Sequence, residues 1–443
     1  MTNTTEFAGA SRSLPKTGTL TARRLMLCLT LAMVIAPATV RAGDEIPGAP
    51  QTRPIALINC HVHPLVGPRI KKGIVLFDNG RITAIGRDVP LPKNTEVIDL
   101  KGQHVYPSLI ESYSQIGLEE ISAVRASRDY SETGSINPNV RANVSVNPDS
   151  ELIPVTRANG VLIAVSAPTG GRVSGVSSVM QLDGWTHEDM TLKAAAAMVV
   201  NWPTPPSTGE SSGLKVLREL FDDARAYKAA RNADTGGQRF DIRLDAMLPV
   251  IAGDLPLLVI AKRTRKIQAA VAFAVEQKIR LIIFGGHDAE SCAALLKKHD
   301  VPVIIDSVHR RPLRRHEAYD VAYTLPARLS KTGVKFCISG SARNETSNLR
   351  NLPYHAATAA AHGLRRDEAL RSITLYPAQI LGIADRVGSL GPGKDATLIV
   401  TTGDPLETDT HVTRAFVQGR SVQLTSRHTR LRDKYIEKYR QQK

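Results

Sequence analysis

This 443-residue chain is poor in cysteine, in acidic residues and in long apolar runs, and each shortage removes a class of protein. Of four cysteines, Cys28 lies in an amino-terminal apolar segment. The remaining Cys60, Cys292 and Cys337 are odd in number and have no C-x-x-C spacing. A disulfide framework and a zinc knuckle are therefore excluded, and buried single thiols are expected. No Gly-x-Gly-x-x-Gly element, P-loop or nucleic-acid-binding motif appears, so dinucleotide, P-loop nucleotide and nucleic-acid functions lack a sequence basis. The apolar run Leu25 to Ala36 is too short for a comfortable transmembrane helix.

What is present begins with a charge excess. The formal charge is +15, and the first 42 residues hold five basic residues and one acid, leaving 52 basic against 41 acidic residues beyond them. Such an excess reads as a solvated surface or as a surface for an acidic partner. Arg23 and Arg24, the apolar run and the small residues around Val40 to Ala42 have the order of a bacterial secretory signal, with the mature chain starting near Gly43. The expected location is periplasmic or extracellular, with no stable membrane span once the signal is removed.

Short apolar runs at 55–58, 73–77, 81–85 and 97–100 read as strands, with Asp78-Asn-Gly80 as the tight turn between the second and third. Between residues 106 and 383 strand-like runs at 161–165, 197–200, 257–260, 281–284, 303–305 and 335–338 alternate with helical periodicity over 213–231, 267–276, 289–298, 319–329 and 367–374. That alternation predicts parallel β/α units in an α/β fold, a (β/α)8 TIM-like barrel. Residues 134–189, with Pro168-Thr-Gly-Gly171 and Gly175, read as long loops or an inserted hairpin. Trp185 is expected to be a packing anchor. The tail 426–443 is basic, either a helix or a frayed end.

Three segments close the chain: Asp367 to Gly382, Gly388-Ser-Leu-Gly-Pro-Gly-Lys-Asp-Ala-Thr-Leu-Ile-Val400, and Gly403-Asp-Pro-Leu406. Together they resemble the closing segment of the amidohydrolase superfamily. The resemblance covers roughly residues 53–425. It implies a small β-sandwich built from both chain ends (53–105 and 384–425), a barrel over 106–383, and a hydrolase acting on non-peptide carbon–nitrogen bonds such as cyclic amides. Loop segments 129–141 and 147–160 are similar to those of exported, imidazolonepropionase-like amidohydrolases that also lack His-x-His.

The resemblance also says where metal ligands belong, at the carboxyl ends of barrel strands. The first motif, His-x-His in the family, is matched here by Pro107-Ser-Leu-Ile-Glu111-Ser-Tyr113-Ser-Gln115, so Tyr113 and Gln115 replace both imidazoles. Ala261-Lys262 follow the fifth strand, Gly285-Gly286-His287 the sixth, and Ser339-Gly340-Ser341 the eighth, leaving one histidine. The expectation is no bound metal, with zinc only if loops supply ligands. His287 and Tyr113 are the catalytic candidates. Gln115, Lys262, Ser341, Arg350 and His355 are the substrate-binding candidates.

Each candidate has a structural alternative. Tyr113 and Gln115 would otherwise pack into vacated metal volume, His287 would precede a helix capped by Asp288, and Lys262 would start a solvated helix. The only His-x-His, His61 and His63, precedes a sandwich strand and is assigned away from the mouth.

The leading expectation is an exported amidohydrolase-like protein with an atypical or lost metal site. The alternative is a non-catalytic small-ligand-binding or scaffolding protein on the same fold. A small molecule is the expected partner, nucleic acid is not, and a homo-oligomer is compatible with the sequence.

The pair of substitutions Tyr113→His and Gln115→His is expected not to restore zinc binding, because the later positions are also replaced. Elemental analysis checks this, and stoichiometric zinc in the double variant would show that the later strands are misaligned.

Overall fold

The computed structural model describes residues 45–206, 209, 211–233, 239–341 and 346–442. The expected secretory signal lies outside the described residues. The chain first forms β1 (Ile55–Val62), β2 (Ile70–Asp78), β3 (Arg81–Gly86), β4 (Glu96–Asp99) and β5 (His104–Pro107). β2 and β3 pair antiparallel about Asp78↔Arg81, and Asn79 and Gly80 both take positive φ there, as a two-residue hairpin requires.

The barrel strands follow: β6 (Leu109–Ser114), β7 (Val161–Ser166), β8 (Val173–Gln181), β9 (Thr191–Val200), β10 (Leu257–Ala261), β11 (Leu281–Gly285), β12 (Val303–Asp306) and β13 (Phe336–Ser339). After the barrel come β14 (Leu398–Thr401), β15 (Val412–Val417) and β16 (Arg420–Val422). The late strands join the first sheet in the order β16-β15-β14-β5-β1-β2-β3, with β4 also on β1. Both chain ends thus build one sheet, and its core includes Phe77 edge-on to Phe416 at 5.2 Å. The tail forms a helix, Arg427–Gln441, begun by a capping box at Ser426 and burying none of its residues.

The eight barrel strands lie side by side in chain order. Strand alternation sorts their side chains. Leu257, Val259, Ala261, Leu281, Ile283, Val303, Ile305, Phe336 and Ile338 pack outward with the helices, whereas Leu258, Ile282, Phe284, Ile304 and Cys337 pack inside. The three cysteines expected as thiols are free and buried.

One strand departs from the parallel pattern. β8 runs antiparallel to both β7 and β9. The link from β7 to β8, residues 167–172, is too short for a parallel crossover, which takes a dozen residues or more. This is the inserted hairpin. Residues 136–141 lie along β8, with Val176 N donating to Val140 O at 2.7 Å. Gly175 permits that approach, since a Cβ there would sit 2.7 Å from the same carbonyl. Trp185 does not anchor anything: at the loop beyond β8 it is 66% exposed.

Closure between β6 and β13 uses inserted backbone and one side chain. Ile110 N donates to Ile373 O at 2.8 Å and Ile338 N to Ser372 O at 3.0 Å, so residues 372–373 bridge the seam. The Glu111 carboxylate completes it. It accepts from Ser339 Oγ, from Gly340 N at 2.8 Å and from Tyr113 N at 3.1 Å, and it is fully buried. Burial pushes the Glu111 carboxyl up to about 7 against the downward pull of these donors.

A carboxyl raised in the folded state contributes stability below its unfolded pKa and loses it as pH rises through the folded value. The Glu111 contribution is therefore expected to fall between about pH 4.5 and 7 by on the order of 3 kcal/mol, against the rise contributed by buried His63 and His355, which are held down to about 3. Denaturant titrations of wild type and Glu111→Gln across that range check it: the difference between the two curves is expected to carry this slope, and parallel curves would assign no such titration to Glu111.

Candidate functional site

The carboxyl ends of β10, β11 and β12 bring together three side chains. Lys262 continues the inward positions Leu258 and Ile260 of β10, and Asp306 continues Ile304 of β12. His287 follows Gly285 and Gly286, both at positive φ; a Cβ on Gly286 would lie 2.3 Å from the Val303 side chain, so only glycine lets the chain turn there. Asp306 is the hub. One carboxylate oxygen pairs with Lys262 Nζ at 2.6 Å and the other hydrogen-bonds to His287 Nε2. Asp306 and His287 side chains are 4% and 3% exposed while Lys262 is 40% exposed, so solvent reaches the group from the lysine side.

The carboxylate can only accept, so in the neutral imidazole the Nε2 nitrogen carries the proton, which assigns the Nδ1 lone pair as free. His287 Nδ1 is buried and meets no hydrogen-bond partner among the described residues. Burial holds this imidazole below its ordinary value; Asp306 pulls it up, and the charges of Arg310 and Lys262 push it further down. The result is an imidazole favoured in its neutral form, with its tautomer set by Asp306.

A second layer surrounds the hub. Asp288 does not cap its own short helix. Its carboxylate accepts instead from Thr264 N at 3.1 Å, capping the helix Thr264–Gln277 that follows β10, and pairs with Arg314 at 2.7 Å. Glu317 binds Arg263 at 3.3 Å and accepts from Leu313 N at 2.7 Å.

The other candidates are dispersed. Tyr113 is buried, its ring stacked on Phe284 at 4.0 Å inside the barrel, and Gln115 is buried just beyond it. Ser341 is buried past β13, its N–H donating to Ser339 Oγ at 3.2 Å. His355, on the helix Leu352–Ala361, is buried, stacked on His309 at 4.1 Å and held down to about 3 by burial and His309. Arg350 is not brought to the mouth. It is exposed, with Nη1 3.2 Å from Nδ1 of His428 on the tail helix.

His61 and His63 lie at the end of β1 in the first sheet, His63 Nε2 3.0 Å from His104 Nδ1 and stacked on Tyr106. A cavity of about 870 Å³ opens at the opposite end of the barrel, lined by residues preceding the strands such as Pro256, Arg280, Pro302 and Lys335. The Lys262, His287 and Asp306 group lies at the other strand ends.

Asp306 was legible only indirectly, because the apolar run Val303-Ile-Ile ends one residue before it. An acid at an inward position on the last turn of a barrel strand was the available signal. Arg310, in the following loop, carried none.

The eight strands in chain order, with helices outside them and a second sheet built from both chain ends, define a (β/α)8-type barrel with an appended β-domain. A profile of the amidohydrolase family matches residues 287–422, starting at the histidine of the mouth. The sequence is 22% identical over 394 residues to "Amidohydrolase tasK" of Hapsidospora irregularis, covering 78% of this chain and 39% of that protein. This chain thus spans about two fifths of that curated relative's length. A solved amidohydrolase from Thermotoga maritima MSB8 superposes with a TM-score of 0.75 at 27% identity, covering 83% of this chain and 99% of that one. Molinate hydrolase superposes with a TM-score of 0.51 at 13% identity over 86% of this chain and 96% of that one, a likeness of fold alone. Together these matches support membership of the amidohydrolase superfamily.

Proposed function

We propose that this protein is an exported hydrolase of non-peptide carbon–nitrogen bonds, with cyclic amides as the substrate class, whose water is activated by His287 rather than by a caged divalent metal. The observation that carries the reading is the buried, unpartnered Nδ1 of His287, oriented by Asp306 from the other side of the ring. The family implies a metal, and the donors here do not fit one held in the usual way. Tyr113 and Gln115 stand where the first two imidazoles would, and among the described residues no group of three His, Cys, Asp or Glu side chains is placed to hold an ion. The two capable side chains, His287 and Asp306, are bonded to each other, and the Lys262 ammonium on Asp306 would repel a cation.

In this reading His287 Nδ1 takes a proton from water as the water oxygen adds to the amide carbon. The Asp306 carboxylate stabilises the imidazolium. Lys262, with its remaining N–H groups toward solvent, supplies positive charge to the oxyanion that forms. Collapse breaks the carbon–nitrogen bond, and the proton on Nδ1 passes to the leaving nitrogen, so one water is consumed and His287 is regenerated. Tyr113 stacked on Phe284 closes the barrel interior below the group, which keeps bulk water out from that side.

Export rests on the amino-terminal signal pattern. Mass analysis of protein recovered from the periplasm or medium is expected to find a chain starting near Gly43, and a full-length cytoplasmic protein would remove this part of the reading. For the chemistry, protein purified without chelators is assayed on a panel of cyclic amides and imides, with and without Zn²⁺ and chelator.

Turnover is expected without added metal and to survive chelation, and His287→Gln is expected to lower kcat at least about 100-fold. Since only the neutral imidazole is a base, kcat/KM should fall on acidification with an inflection below about 6.5, the ordinary histidine value. Strict dependence on Zn²⁺, or a His287→Gln variant of full activity, would refute the mechanism.

A further inference from the structure

We propose that Arg310 forms a subsite for a single carboxylate group on the substrate, an assignment that rests on the hydrolase reading above for its catalytic meaning but not for its binding. Arg310 stands four residues beyond Asp306 in the loop that leaves β12. Its Nε and Nη1 nitrogens are shielded from solvent and meet no hydrogen-bond partner among the described residues. The guanidinium lies in the field of Asp306, Glu317 and Asp288, and its charge is felt by His287. It therefore belongs to the same mouth.

Every nearby acid is already engaged. Asp306 spends one oxygen on Lys262 and the other on His287. Asp288 is held by Arg314, Arg263 and Thr264, and Glu317 by Arg263, Arg314 and the backbone of Leu313. Within this network the cations are Lys262, Arg263, Arg310 and Arg314, and the carboxylates are Asp288, Asp306 and Glu317, while His287 is neutral. One positive charge is uncompensated, and it is the one whose nitrogens lack partners.

Shielded N–H groups of a guanidinium are costly to leave unmade, and planar oxyanions are the acceptors that suit them. A monoanion balances the surplus. A dianion would leave net negative charge beside Asp306, so carboxylate is favoured over phosphate. The position beside His287 places such a carboxylate on the molecule being hydrolysed.

The test compares hydantoin-5-acetate with hydantoin-5-acetamide, which differ only in the charged group. With wild-type protein, kcat/KM for the acid is expected to exceed that for the amide by about ten- to a hundredfold. Arg310→Gln should abolish this preference through KM with kcat little changed, and Arg310→Lys should recover part of it. Calorimetric binding of the acid to the His287→Gln protein should be retained and weakened by Arg310→Gln.

Equal turnover of acid and amide by wild type, a comparison that needs no variant, would overturn the subsite while leaving the hydrolase reading standing. Arg310-dependent binding of the acid with no turnover of any ring would keep the subsite and remove the hydrolase reading. Tighter binding of inorganic phosphate than of the acid would overturn the assignment to a carboxylate.

Discussion

A single buried carboxylate closes the barrel. Between β6 and β13, neighbouring strand edges do not meet in a continuous ladder; residues 372–373 lend backbone groups and Glu111 binds Ser339, Gly340 and Tyr113 at once. The seam gives the acid at this place in the chain a structural reason. Its work is to join strands. A glutamate there satisfies backbone N–H groups that would otherwise be orphaned in the interior, and that requirement is independent of any metal.

With the ring closed, strand alternation decides what faces its mouth. Leu258, Ile282, Phe284, Ile304 and Cys337 fill the interior, and Tyr113 stacks onto Phe284. The next inward positions carry Lys262 and Asp306, so an apolar layer is followed by a charged one over a short distance along the strands. Asp306 lies in a poorly solvated place and is tolerable there because both of its oxygens are occupied. The same arrangement holds His287 through Nε2 while its buried Nδ1 meets no partner among the described residues, so this histidine is satisfied on one side alone.

Much of the fold was legible because its signals are local. The strands at 257–260, 281–284 and 303–305 and the Asp78-Asn-Gly80 hairpin follow from apolar runs and turn residues, and β8 was foreshadowed by the glycines around 170–175. The site was less legible. His287 and Lys262 stood out by their place after predicted strands. Asp306 fell just outside an apolar run, Arg310 lay in a featureless loop, and Arg350, read as a substrate-binding candidate, instead meets His428 at the tail helix. Trp185, read as an anchor, sits in solvent.

The sequence alone determined the alternation of strands and helices, because it is written in neighbouring residues, whereas the split of one sheet between the chain ends was legible through the resemblance to the amidohydrolase superfamily. The tertiary structure decided which charges meet. Lys262, His287, Asp306 and Arg310 come from three separate strand ends and the loop that leaves one of them, and only the curvature of the closed sheet converts those separations into contacts of hydrogen-bond length and leaves one guanidinium without an acid.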